Sequence, residues 1–213
     1  MVASAGAHEA LGKFLLDKGA QPNVSDSAGV TPLHSAAQSG QLELVRALVS
    51  HGADLNPRLT RNPRGTPAAA GPLRQVNLAG TTPLLLAARS GHAEVMRLLA
   101  ASHADTSLVT QDGTTLVMAA AASGDLQSVQ AAVELGGDVN AVNRNGQTAI
   151  HAAVTNFTGT VPKINAVIQF LADKGARVDV KDARGTTPLD IAERRTIDLT
   201  ANLLRKLSAR STQ

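Results

Sequence analysis

The feature that most limits what this chain can become is its own recurrence. The segment Asp26-Ser27-Ala28-Gly29-Val30-Thr31-Pro32-Leu33-His34-Ser35-Ala36-Ala37-Gln38-Ser39-Gly40 returns as Asn77-Leu78-Ala79-Gly80-Thr81-Thr82-Pro83-Leu84-Leu85-Leu86-Ala87-Ala88-Arg89-Ser90-Gly91-His92. Shorter echoes start at Thr110 (with Gly113 and Thr115), Asn143 (Gly146, Thr148, His151) and Asp182 (Gly185, Thr187, Pro188, Leu189). Thr31, Thr82, Thr115, Thr148 and Thr187 are separated by 51, 33, 33 and 39 residues, so the period is 33 with 18 extra residues in the first interval and 6 in the last. Units also end alike, in Gly52-Ala53-Asp54-Leu55-Asn56, Gly136-Gly137-Asp138-Val139-Asn140 and Gly175-Ala176-Arg177-Val178-Asp179. A fixed period of this length excludes an ordinary single-core domain and predicts a stack, because a unit this short cannot bury its own apolar face.

Each part of the unit has a physical task. Proline after Thr opens a helix at a position whose N–H has no intrahelical partner. Leu and the Ala pair then form a short apolar face that lets a neighbouring helix come close. Gly40, Gly91 and Gly124 supply a turn conformation that side chains with a Cβ avoid. A second amphipathic helix follows, as in Leu42, Val45, Leu48 and Val49. The closing glycine reads as a helix C-cap, and the Asp/Asn-x-x-Gly stretch as a turn between units.

Composition agrees with thin layers. Aromatic residues make up 1% of the chain, with Phe 3, Tyr 0 and Trp 0, so Leu, Val, Ile and Ala must supply the core. The absence of cysteine removes disulfides, thiolate nucleophiles and Cys-based zinc sites. No apolar run reaches the roughly 18 residues of a membrane span, and the first residues lack the basic start and apolar stretch of a secretory signal. Nothing in the sequence specifies a compartment.

The Thr-Pro-Leu-His, Ala-Ala-x-x-Gly-His and Gly-Ala-Asp-x-Asn signatures, at a 33-residue period over nearly the whole chain, resemble the ankyrin-repeat family. The resemblance implies an all-α solenoid of paired antiparallel helices with β-turn fingers to one side. Its expected organisation is a partial N-terminal repeat (1–23), a repeat at 24–56, a Pro/Arg-rich inserted loop at 57–74, repeats at 75–107 and 108–140, a repeat with an inter-helix insertion at 141–179, and a C-terminal capping repeat at 180–213. The chain starts inside a repeat, so a scaffold fragment cut from a larger protein is one reading.

Departures from the pattern carry expectations of their own. Leu116 and Ala149 stand in the Pro slot and Met118 in the His slot, which should weaken helix starts without abolishing them. His103 stands where the C-cap glycine belongs, an expected point of strain. Residues 57–74 hold four prolines and four arginines, among them Arg58, Arg61 and Arg64, and no acid. That makes them a candidate basic arm. The second insertion, around Asn156-Phe157-Thr158-Gly159, places Phe157 in a Gly slot as packing, with Phe170 in the core of the following helix.

Catalysis finds little support. The resemblance implies structural hydrogen bonds for His34, His151 and His92. Only His51 and His103, with Asp54 and Asp105 nearby, could form a His/Asp constellation in consecutive units. A hydrolase-like activity there or in the repeat groove is the alternative reading. Nucleophile elbows, phosphate-cradling glycine loops and metal-ligand spacings are absent, so no catalytic residue, cofactor or metal is assigned. A sequence pI ≈ 9.7 raises nucleic acid as a partner. Against it stand the missing aromatic platforms and a balance of 20 basic to 17 acidic residues.

The resemblance places ligands on the finger tips and on the exposed side of the first helices. Among the 25 positions mapped this way are five Arg, no Lys and one acid. They include Ala28, Leu78, Ala79, Thr81 and Ala122 as well as the polar candidates. Those candidates are Ser27, Gln38, Arg89, Ser90, Gln111, Asp112, Arg144, Asn145, Arg184 and Arg194, joined by Arg58, Arg61 and Arg64 of the arm. Arginine makes bidentate bonds to carboxylates and is favoured as an interface anchor. The expected function is therefore a non-catalytic, monomeric module that binds an acidic protein surface or peptide on an Arg-enriched concave face.

Overall fold

The computed structural model describes residues 9–62, 78–155 and 160–210. Eleven helices and no strand occur among them. A single helix, α1 (Glu9–Asp17), is followed by five pairs: α2 (Pro32–Gln38) with α3 (Leu42–Ser50), α4 (Pro83–Arg89) with α5 (Ala93–Ala101), α6 (Leu116–Ser123) with α7 (Leu126–Glu134), α8 (Ala149–Thr155) with α9 (Val161–Asp173), and α10 (Pro188–Arg194) with α11 (Asp198–Arg210). Helices α2, α4, α6, α8 and α10 pack in one row, and α1, α3, α5, α7, α9 and α11 in a second row behind it.

Local chemistry sets the helix ends. The Thr31, Thr82, Thr115 and Thr187 hydroxyls each accept the backbone N–H three residues on, satisfying a donor that the helix leaves orphaned. Helix α6 starts on schedule with Leu116 where the others have proline, held by Thr115. Ala149 likewise opens α8. His103 adopts φ 72 at its cap, and Thr196 adopts φ 54 in the turn before α11. Both are left-handed conformations that cost a residue with a Cβ.

The core runs as a continuous seam between the two rows. Leu33, Leu84, Met96, Leu99, Ile150, Ile168, Leu171 and Leu204 are buried, as are the alanines at 36, 37, 87, 88, 120 and 121. These alanines take the place of aromatic bulk by letting first-row helices approach, and close packing recovers the dispersion that small side chains forgo. Phe170 packs against the seam while remaining partly exposed. Phe157 lies outside the described residues.

The fingers stack through the main chain. In each regular finger the first residue's N–H donates to the carbonyl four residues on, as in Asp26 to Val30, Thr110 to Thr114, Asn143 to Gln147 and Asp182 to Thr186. Neighbours are joined by Gln111 N–H to Ala79 O at 2.8 Å, Arg144 N–H to Asp112 O at 2.9 Å and Ala183 N–H to Asn145 O at 2.8 Å. The same bonds correct the expected position of the first insertion. Leu59 N–H donates to Thr81 O, Gly80 N–H to Leu59 O and Thr60 N–H to Ala28 O. Leu59 and Thr60 therefore open the second finger, 33 residues after Asp26 and Ser27. The extra residues interrupt that finger after Thr60 and end before Ala79; they do not begin at residue 57. Leu59 is buried where other fingers carry Asp, Asn or Thr.

Candidate interaction surface on the fingers and first helices

The finger chemistry decides which charges remain available. Asp26 Oδ1 accepts the backbone N–H groups of Ala28 and Val30. Asn143 Oδ1 does the same for Asn145 and Gln147, and Asp182 Oδ1 for Arg184 and Thr186, each at 2.9 Å. Asp112 Oδ1 accepts the Thr110 and Thr114 hydroxyls. Asp190 accepts the Thr187 N–H and hydroxyl, both at 2.8 Å; its pKa is lowered chiefly by that backbone N–H, then by the hydroxyl. Glu193 is paired with Arg205 at 2.6 Å. Carboxylates on this side are thus committed to turns, a cap or an ion pair.

The arginines divide differently. Arg58 Nε donates to Gly80 O at 3.2 Å and its guanidinium also reaches Val109 O. Arg61 donates to the Ser27 hydroxyl at 2.8 Å. Arg194 Nε reaches Asp190 O in its own helix, and Arg195 donates to the carbonyls of Val154 and Thr155. Arg89 is half-buried in the last turn of α4 and has an interaction of its own. Arg144 and Arg184 are exposed, and neither guanidinium hydrogen-bonds or ion-pairs with another described residue.

Ser27, Gln38, Ser90, Gln111 and Asn145 are exposed, and Asp112 is half-buried. Ser27 stands beside Arg61, Asp112 beside Arg144, and Asn145 beside the finger that carries Arg184. A shallow hollow lined by Gly185, Thr186, Asp190, Glu193 and Arg194 adjoins that last finger. Five mapped positions are corrected: Ala28, Leu78, Ala79, Thr81 and Ala122 are all buried. Their side chains, or in Thr81 the carbonyl accepting His34 Nε2, serve the stack. Arg64 lies outside the described residues. Lys181, exposed at the base of the fifth finger, was not singled out by the sequence. The signal available was its position next to Asp182, the turn former.

The histidine slots are structural. Thr31 N–H donates to His34 Nδ1 at 3.2 Å, so Nε2 carries the proton and donates to Thr81 O at 3.2 Å. Burial drives the pKa of His34 down to about 4. His151 repeats the arrangement between Thr148 and Thr186 O, with its pKa lowered by burial. His92 Nε2 bonds the Gln38 carbonyl at 3.1 Å. His51 reaches Ala47 O through Nδ1, and its Nε2 lies 3.6 Å from Asp17. Asp54 accepts the Asn56 N–H, and Asp105 accepts Ser107. Among the described residues no group of three or more His, Asp or Glu is placed to hold a metal ion. Among the same residues no helix is long and apolar enough to cross a membrane.

Stacked helix pairs, hydrogen-bonded fingers and histidines that tie one unit to the next define a tandem-repeat solenoid. Models of ankyrin repeats match residues 1–59, 67–143, 84–182 and 117–210, and a second such model matches 33–100; the chain belongs to the ankyrin-repeat family, a protein-binding architecture. Human protein phosphatase 1 regulatory subunit 27 is 30% identical over 104 residues, covering 49% of this chain and 56% of that protein. The mouse fem-1 homolog A-like protein is 31% identical over 99 residues, 46% of this chain and 12% of its own. Mouse 2-5A-dependent ribonuclease is 54% identical over 41 residues, 19% of this chain and 6% of its own. The chain spans little more than half the length of the first of these relatives and far less of the other two.

Proposed function

We propose that this chain is a non-catalytic module that binds an acidic protein surface or peptide on the face formed by its fingers and first helices. The observation that carries the reading is the asymmetry just described. Carboxylates on that face are bonded internally, while Arg144 and Arg184 stand exposed without such bonds. A partner carboxylate meeting them forms charge-assisted, bidentate hydrogen bonds without breaking a contact the fold needs. The regulatory-subunit name of one relative, matched over about half of its own length, is in keeping with a protein partner.

The test is fluorescence anisotropy of a labelled Glu/Asp-rich peptide with the full chain at low and raised salt. Charges at a rim chiefly affect association rate and salt response. Reversing Arg144 to Glu should raise Kd by about tenfold, which is about 1.4 kcal/mol, and flatten the salt dependence. Binding that ignores both the reversal and the salt would sink the reading.

A further inference from the structure

The fourth and fifth fingers differ from the rest in charge and in what that charge is doing. Finger 143–147 and the segment 181–195 together hold five basic residues (Arg144, Lys181, Arg184, Arg194, Arg195) against three acids (Asp182, Asp190, Glu193). The fold uses Arg195 to bind the carbonyls that end α8, and Arg194 stays within its own helix. Asp182 and Asp190 hold backbone N–H groups, and Glu193 holds Arg205. What remains exposed and unbonded to other described residues is Arg144, Lys181 and Arg184.

Position organises these three. Ala183 N–H to Asn145 O ties the two fingers together at 2.8 Å, which holds the residues on either side, Arg144 and Arg184, on adjoining tips. The Arg144 side chain lies along the preceding finger, where its Cγ would sit 3.7 Å from a Cβ placed on Gly113. Among the described residues of the N-terminal fingers, Arg58 and Arg61 are instead bonded to Gly80, Val109 and Ser27.

We infer that the tips of the fourth and fifth fingers form a two-arginine clamp, Arg144 and Arg184 with Lys181 beside them, for an extended acidic peptide segment running along the finger row. The inference rests on the proposed acidic-partner reading and narrows it to a place and a ligand form. Neighbouring units in a helical stack are set roughly 8–10 Å apart, and an extended chain rises about 3.3 Å per residue. Carboxylates about three residues apart therefore match the repeat of the stack, while adjacent ones fall within one unit.

The experiment uses the full chain and two labelled peptides of equal charge, Thr-Glu-Pro-Val-Glu-Thr and Thr-Glu-Glu-Pro-Val-Thr, read by anisotropy. Arg144→Glu and Arg184→Glu should each weaken the spaced peptide by about tenfold. Arg46→Glu, the same charge change on exposed α3 beside Glu43, should leave it within about twofold. Arg144→Ala and Arg184→Ala repeat the test without adding a carboxylate, and far-ultraviolet circular dichroism confirms folding. Should the peptides bind wild type but respond to the finger variants no more than to Arg46→Glu, the clamp is overturned while the acidic-partner reading stands. An equal preference for adjacent acids overturns the spacing, and with it the clamp. If neither peptide binds wild type at all, both readings fall. A single-stranded oligonucleotide that binds more tightly than either peptide, and is lost with the same variants, would replace the peptide by nucleic acid.

Discussion

His34 shows how much one side chain can decide. Its imidazole must stay neutral, since Nδ1 accepts the Thr31 N–H while Nε2 donates to Thr81 O in the next unit. Burial holds the folded pKa at about 4, against an ordinary value of 6.5. Below 6.5 the unfolded chain therefore binds a proton that the folded chain refuses. Stability is complete above pH 6.5, falls as pH drops toward 4, and levels off below the folded value. At 1.36 kcal/mol per pKa unit, His34 alone is worth ~3 kcal/mol across that window, and His151, shifted the same way, adds to the fall. Urea midpoints measured from pH 7.5 down to pH 4 should decrease accordingly. His34→Leu, which copies the residue at the Leu85 slot, should remove part of the slope while lowering stability at neutral pH. An unchanged slope would mean that the histidine is solvated in the folded chain.

At the scale of the element, α8 lacks the proline that opens α2, α4 and α10. Its first residue, Ala149, is buried and has no backbone hydrogen bond from its N–H outside the helix, and Thr148 precedes it as Thr187 precedes Pro188. A proline there has no bond to break and restricts the unfolded chain. Ala149→Pro should thus stabilise by about 0.4–1 kcal/mol, seen as a raised urea midpoint with unchanged m. A lower midpoint would show that α8 starts with a different φ from its relatives in the stack. Helices of this kind were legible in the sequence because period, Thr caps and paired alanines fall on fixed positions. The second finger was not legible in the same way. Its opening residue is Leu59, not a turn former, and the chain leaves it after Thr60, so the motif that marks a finger is split. Leu59 does lie 33 residues after Asp26, but nothing in its side chain marks a turn. The site divided along the same line. Arg144 and Arg184 were identifiable by slot as finger-tip residues, whereas the structural uses of Arg58, Arg61 and Arg195 depend on groups of other units, the Val109, Val154 and Thr155 carbonyls and the Ser27 hydroxyl, that no local pattern reveals.

Across the whole molecule, stability is a chain of interfaces, each involving only neighbouring units. Side-chain bridges at repeated slots cross most of them. Asn23 bonds Gly52 and Asp54, while Asn56 bonds Asp105. Asn140 bonds Gly175 and Arg177. His34 and His92 join the first pair to the second, and His151 joins the fourth to the fifth. Between the α4–α5 pair and the α6–α7 pair, those slots hold Leu85, Ser107 and Asp125. Ser107 turns back on Asp105, and Asp125 caps its own helix. Apolar packing of α4 on α6, both almost wholly buried, carries that interface. The Arg97–Glu134 pair is exposed and so is worth at most about 1 kcal/mol. Arg58 adds a bond across this interface, since from the start of the second finger it binds Val109 O before the third finger as well as Gly80 O of its own. Charged donors to carbonyls contribute roughly 1.5–3 kcal/mol, discounted here because Arg58 is exposed. Arg58→Ala should cost about 1 kcal/mol and act locally. Hydrogen exchange should quicken at the amides of Gln111, Gly113 and Thr114 in the third finger, while Ala183 and Gly185 in the fifth keep their protection. Equal loss in both fingers would show that the array opens as one cooperative body, and no loss in either would remove Arg58 from the interface.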